Sequence, residues 1–216
     1  MNTSISASTR TTMNKTSFKL SHRTTWWLVF ALMALPLAWL VGLTFTGGLG
    51  ANPIEAINRY LGDWALRMLL VTLAATPLKT LFGWVWPVRM RRMLGLWAFA
   101  YVALHIANYV AIDQFFAWDD IWKDIVKRNF ITVGMIAFLI LSALAATSFN
   151  RAIKRIGAKA WKKLHKLVYL AAALGCLHYV WMVKADLLMP TVHSAILAAL
   201  LSVRLYTWAS RNYMRS

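Results

Sequence analysis

The sequence predicts an all-α integral membrane protein, a six-transmembrane-helix bundle with both termini cytoplasmic. Three observations carry that prediction. Of 216 residues, 60% are hydrophobic and only 14% charged, far from soluble usage. The apolar residues come in blocks of about 18–20, long enough to cross a hydrocarbon core. The charged residues gather between those blocks, basic clusters on one side and the acids on the other.

Residues 1–24 are rich in Ser and Thr, carry Arg and Lys, and contain no acid. That composition resembles a transit peptide, but no apolar stretch with a cleavage site follows. The segment reads as a disordered cytoplasmic tail, since such a composition cannot build a core. A transmembrane domain is expected over 25–210, with a cytoplasmic C-terminal tail over 211–216. The first span is Trp26–Phe45, and Pro36 should kink it near its middle, which a membrane bundle tolerates. Pro53–Leu61 is expected as a short interfacial helix on the outer face. The second span is Trp64–Leu81 and the third Met93–Ile112. Asp119–Arg128 forms a second surface helix, with Ile121, Trp122, Ile125 and Val126 at helical spacing. The fourth span, Phe130–Phe149, has no charge at all; Leu164–Val183 and Thr191–Ala209 complete the set.

Charge asymmetry orients these spans. Arg10, Lys15, Lys19 and Arg23 precede the first, and Lys79, Arg89, Arg91 and Arg92 flank the second loop. Seven more cations, from Arg151 to Lys166, fill the fourth loop, and Arg211 and Arg215 end the chain. All seven acids, Glu55, Asp63, Asp113, Asp119, Asp120, Asp124 and Asp186, fall on the opposite side. The positive-inside rule therefore places both termini in the cytoplasm, consistent with an even number of spans. Trp26, Trp27, Trp64, Trp84, Trp86 and Trp181 sit near the expected interfaces, as aromatic belts do.

The same distribution excludes other classes. A net charge of +17 points to membrane orientation and not to nucleic acid, because its cations lie between apolar spans. The single cysteine, Cys176, excludes an intrachain disulfide framework and a cysteine-based zinc or iron–sulfur site. It reads as a small core residue.

Three histidines lie in or at the edge of the apolar segments: His105 in the third, His165 and His178 in the fifth. An ionisable group at membrane depth is costly and marks a functional site by default. Imidazole is also a common axial ligand of haem iron. His105 lies roughly 18 Å along the third span, and His178 roughly 21 Å along the fifth, both measured from the cytoplasmic end. Two histidines level with one another in the outer half of the bilayer suit bis-histidine ligation of one b-type haem between two helices. Such an iron has no vacant position and suits electron transfer better than oxygen chemistry.

His165 stands thirteen residues before His178, roughly 20 Å lower and roughly 140° around an ideal helix. At its depth the third span offers Arg91 and Arg92, not histidine. The residues thus support a first haem better than a second, and His165 is either a ligand or an interfacial anchor. His193, at the outer start of the last span, and His22, in the tail, read as surface residues. Arg204 lies close enough to the cytoplasmic end to snorkel. Arg67, one turn inside the outer end of the second span, could pair with a haem propionate or snorkel beside Asp63 at i−4.

The stretches RRMLGLWAFAYVALH (91–105), WKKLHKLVYLAAALGCLHY (161–179), GGLGANP (47–53) and RNFITVG (128–134) resemble the MsrQ (YedZ) family. Its members are haem-binding membrane subunits of the ferric-reductase-like transmembrane superfamily. The third- and fifth-span motifs together are specific, whereas GGLG alone is weak. The resemblance covers nearly the whole chain after the tail. It implies haems bracketed by the third and fifth helices, with histidines thirteen or fourteen apart, which favours His165 as a further ligand. The second third-helix histidine of two-haem members is missing here, leaving haem number open.

The resemblance also implies a division of labour. The flavin and nicotinamide domains that follow the membrane part in ferric reductases are not in this sequence, so electrons are expected from another carrier. That carrier would be the quinone pool of a bacterial inner membrane, or a cytoplasmic flavin or flavin reductase. Delivery would be to MsrP, a periplasmic molybdopterin enzyme that reduces methionine sulfoxide in oxidised proteins. FMN is implied too, although no phosphate-cradling glycine loop locates it. The chain is then an electron-transfer subunit and not the catalytic one. Two rivals stand beside this expectation: a haem b quinol or metal-ion reductase with another partner, and a transporter using buried histidines as proton relays. Paired broken helices and internal repeats, frequent in transporters, are not visible. A non-redox anchor would leave the intramembrane histidines unexplained.

Overall fold

A computed structural model describes residues 21–213; residues 1–20 of the tail expected over 1–24, and the last three residues, lie outside the described part. Helix follows helix throughout: α1 His22–Thr46, α2 Pro53–Phe82, α3 Trp86–Ala107, α4 Trp118–Lys127, α5 Asn129–Ala146, α6 Asn150–Ile156, α7 Ala158–Leu164, α8 Leu167–Met182 and α9 Leu188–Tyr213. A π-helical stretch, Asn108–Asp113, prolongs α3. Among the described residues, five helical segments are long and apolar enough to cross a membrane: Arg23–Thr46, Pro53–Phe82, Trp86–Asp113, Asn129–Ala146 and Leu188–Tyr213.

Where the helices start and stop follows from local chemistry. Ser21 caps α1 by accepting from the Thr24 amide, so the helix begins inside the segment expected as tail. Pro36 continues α1, and two tyrosine hydroxyls donate to carbonyls in that part of the helix: Tyr60 to Pro36 O at 3.0 Å and Tyr101 to Met33 O at 2.8 Å. Gly47 and Gly83 end α1 and α2 with φ near +70°, the left-handed conformation that only glycine adopts freely.

The short interfacial helix expected over 53–61 is instead the first part of α2. Asn52 caps it, accepting from the Glu55 amide and donating to the Glu55 carboxylate, with Pro53 at the first turn. Nothing between Leu61 and Trp64 then breaks the helix, since an interior glycine costs only about 1 kcal/mol. The surface helix expected over 119–128 is present as α4.

The expected fifth span is divided. α7 ends at Leu164, and His165–Lys166 form a tight turn closed by three-residue hydrogen bonds, Val168 N to His165 O and Tyr169 N to Lys166 O. α8 keeps 16 residues, about 24 Å of helix, and so falls short of spanning by length alone.

Two helix pairs build the body, α2 against α3 and α5 against α8; α1 packs on α2 and α3, and α9 on α2 and α8. Ala98, Ala171 and Ala172 are fully buried within the core, beside Tyr101, Leu69 and Cys176. Small side chains at such contacts let helix backbones approach closely. The outer surface is apolar in turn: Leu28, Leu35, Trp39 and Val41 of α1 are each more than half exposed, as lipid-facing residues are. Large exposed apolar area of this kind marks a membrane-contacting surface.

Candidate functional site

Each helix pair carries one histidine, and the two meet across a cavity. His105 projects from α3 toward its partner α2; its Nδ1–H donates to Asn58 O at 2.9 Å. His178 projects from α8 toward its partner α5; its Nδ1–H donates to Phe130 O at 2.6 Å. A carbonyl can only accept, so the neutral imidazole in each case carries its proton on Nδ1 and leaves the Nε2 lone pair bare. The two ring centres stand 6.4 Å apart with planes nearly perpendicular, at 82°.

The same local device seats both rings. Four residues after each accepting carbonyl stands a glycine, Gly62 after Asn58 and Gly134 after Phe130. A methyl group on Gly62 would lie 3.1 Å from His105 Cε1, and one on Gly134 would lie 2.7 Å from His178 Nδ1. Each ring thus sets its Nδ1–Cε1 edge against a bare stretch of helix backbone on its partner helix. Neither glycine was singled out from the sequence, although Gly134 closes the RNFITVG stretch. The available signal was a glycine inside a long apolar helix, where helix propensity argues against it.

The cavity between the rings has a volume of about 510 Å³, within the usual range for small-molecule and cofactor sites. Its deep wall is apolar, with Leu66, Leu69, Phe138, Leu141 and Ala171. Its mouth, toward the end where the acids collect, carries Glu55, Arg59, Asp63, Asp113, Arg128 and Asp186. The site is therefore amphipathic: an apolar interior flanked by two imidazoles, opening to a charged rim.

The remaining expected residues fall elsewhere. His165 does not line this cavity. It stacks on Trp161 with ring centres 3.9 Å apart, donates Nδ1–H to Trp161 O at 3.1 Å, and lies 3.4 Å from Ser148 Oγ through Nε2. Arg67 pairs with the Asp63 carboxylate and lies over the Trp64 ring, its guanidinium carbon 4.9 Å from the centroid.

Two expectations need correction. His193 is not a surface residue: it is only 5% exposed. Its Nδ1–H donates to Met189 O at 2.7 Å, Nε2 faces Asp63 Oδ1 at 3.6 Å, and Tyr179 packs edge-on against the ring. Being five residues into α9, it faces the α2–α8 side and not the water. Arg204 does not snorkel either. Its guanidinium turns inward, donating to Leu73 O at 2.6 Å and to the Tyr169 hydroxyl. A carbonyl and a phenol within reach satisfy it better than an extended path to the headgroups.

Comparison with known proteins gives the family. The family described as "Ferric reductase like transmembrane component" matches residues 61–176, a stretch that contains His105, Gly62, Gly134 and His165. The chain is 57% identical over 178 residues to the "Protein-methionine-sulfoxide reductase heme-binding subunit MsrQ" of Rhodospirillum rubrum, covering 82% of this chain and 85% of the relative. It is 48% identical over 188 residues to the MsrQ of Caulobacter vibrioides, covering 87% and 90%. It is also 41% identical to the magnetosome protein MamZ of Paramagnetospirillum magneticum over 91% of this chain, but only 32% of that longer protein. The chain belongs to the ferric-reductase-like transmembrane family and, within it, to the MsrQ group.

Proposed function

We propose that this chain is the haem-bearing membrane subunit of a methionine sulfoxide reductase system, with His105 and His178 as axial ligands of one b-type haem. The observation that carries the reading is the pair of imidazoles 6.4 Å apart, each with Nδ1–H tied to a backbone carbonyl. A ring separation of 6.4 Å leaves space for one iron that both imidazoles would hold. A hydrogen bond from the far ring nitrogen is the usual support of a metal-bound imidazole, fixing its tautomer and raising its basicity. The residues present fit the group.

When bound, the haem supplies a one-electron couple whose potential is tuned by its ligands and surroundings. The chain's own residues do the rest. Asn58 and Phe130 carbonyls hold the imidazoles in the tautomer that presents Nε2, and Gly62 and Gly134 let the rings seat against the backbone. The apolar wall formed by Leu66, Leu69, Phe138, Leu141 and Ala171 keeps water away from the buried face. With both imidazoles holding the iron, the haem would supply electron exchange and would leave no open position for oxygen.

The orientation follows from charge. With the basic end in the cytoplasm, the cavity mouth faces the periplasm of a bacterial inner membrane, and α8 joins the five longer segments as a sixth, thinner crossing. Electrons arrive from the quinone pool or a cytoplasmic flavin reductase and leave toward a periplasmic MsrP-type molybdopterin reductase. The names of the MsrQ relatives support this assignment. FMN fits as an additional carrier by family likeness. His165, at the basic end, is the remaining candidate for a second iron.

The test is direct. Right-side-out membrane vesicles containing the chain, given a hydroquinone, should show reduced low-spin haem b bands, which reoxidise on adding the purified periplasmic reductase with methionine sulfoxide. Haem that reduces but does not reoxidise would reject the proposed acceptor.

A further inference from the structure

The cavity's rim presents an electrostatic problem that two arginines solve. Six charged residues line the mouth: the carboxylates Glu55, Asp63, Asp113 and Asp186, and the cations Arg59 and Arg128. A haem is an amphiphile with an apolar ring and two propionate carboxylates on one edge. With the ring in the apolar interior, that edge meets a rim where acids outnumber bases. Like charges at close range in a partly desolvated site repel, and a cation offsets this most strongly.

The two arginines are placed as a pair. Arg59 follows Asn58, whose carbonyl holds His105; Arg128 stands two residues before Phe130, whose carbonyl holds His178. They therefore approach from opposite walls, Arg59 from α2 and Arg128 from the junction of α4 and α5. Measured by helix rise from the backing glycines, they stand about 5 Å and about 9 Å nearer the mouth. Each is already turned by a carboxylate on its own side, Arg59 by Glu55 at 2.6 Å and Arg128 by Asp124 at 3.0 Å. Both arginine side chains are more than half exposed; the exposed Arg59–Glu55 pair is worth at most about 1 kcal/mol, while Asp124, only 19% exposed, is also held by the Tyr109 hydroxyl. The guanidinium groups can thus be shared with an incoming carboxylate. Arg67 is directed to Asp63 and Trp64, and the cavity wall's arginines among the described residues are Arg59 and Arg128.

We propose that Arg59 and Arg128 are the propionate seats of the haem, one on each wall. This rests on the haem reading above and deepens it. The arginines are binding residues that touch the cofactor's edge; they take no part in holding the iron.

The experiment uses the full-length protein in detergent with its haem, in wild type, Arg59→Gln, Arg128→Gln, the double variant, the two Arg→Lys variants, and Arg67→Gln. Two readouts are taken: the rate of haem transfer to excess apomyoglobin, and the midpoint potential. Loss of one charge-assisted contact should speed haem release about five-fold in each Gln variant, with a larger effect in the double variant. Removing a positive charge also favours the ferric form, so the potential should fall in each Gln variant. Lys should restore much of the potential, since it keeps the charge, while a merely structural role would leave the potential unmoved. Wild-type release and potential in both Gln variants of a red protein would overturn the proposal. So would an effect confined to Arg67→Gln, which would give the propionate role to that residue instead. A colourless wild type would instead fail the haem reading itself, a result distinct from either.

Discussion

At the scale of single residues, the site depends on two absent methyl groups. Ala is the better helix former by about 1 kcal/mol, so replacing Gly62 or Gly134 would stabilise a helix with nothing beside it. Here the added carbon meets an imidazole. Gly134→Ala should displace His178, because 2.7 Å to Nδ1 leaves no room without breaking the bond to Phe130 O. Gly62→Ala should be milder, since 3.1 Å to His105 Cε1 asks for a shift of a few tenths of an ångström. The haem-to-protein ratio after purification checks the order: Gly134→Ala well below wild type, Gly62→Ala between them. Equal retention in all three would remove the backing role from both glycines. The histidines were legible because ionisable groups in apolar stretches stand out and helix rise gives their depth. The glycines were not, because a mid-helix glycine reads as a local weakness until its neighbour across the interface is known. His193 was misjudged for a similar reason: its place near the helix start suggested water, and only the packing of α9 against α2 and α8 buries it.

At the scale of elements, the inward arginine of α9 staples three helices: Arg204 reaches Leu73 O on α2 and the Tyr169 hydroxyl on α8. Substitution by Met, similar in length and apolar, leaves that carbonyl and phenol without their donor. The unsatisfied groups should cost about 1–3 kcal/mol, seen as a lower thermal midpoint by tryptophan fluorescence in detergent, while the haem spectrum stays normal. An unchanged midpoint would mean that the staple contributes nothing net. Element boundaries were only partly readable. Asn52 and Gly83 are residue types that commonly end helices, but the union of 53–61 with the second span depends on uninterrupted helix through Gly62. The turn at His165–Lys166 has no glycine or proline to announce it, and the π-helical stretch after Ala107 left no mark in the hydrophobic pattern.

At the scale of the whole molecule, charge predicts orientation. The α6–α7 region is strongly basic, while α4 and the cavity mouth carry the acids. With Cys176, which is buried, replaced by Ala, a cysteine introduced at Asp119 should react with an impermeant maleimide in intact spheroplasts. One introduced at Lys159 should react only after the membrane is opened. The reverse pattern would invert the topology and turn the cavity toward the cytoplasm, away from a periplasmic acceptor. The architecture makes the whole molecule a two-walled holder: α2 with α3 presents one imidazole, α5 with α8 presents the other, and α1 and α9 close the sides.

The most direct test of that holder is the visible spectrum of the purified protein, taken reduced minus oxidised, in wild type and in His105→Ala and His178→Ala. The account predicts low-spin haem b bands in wild type, and their loss or conversion to a high-spin form in either variant. Wild-type low-spin bands surviving in both variants would contradict it.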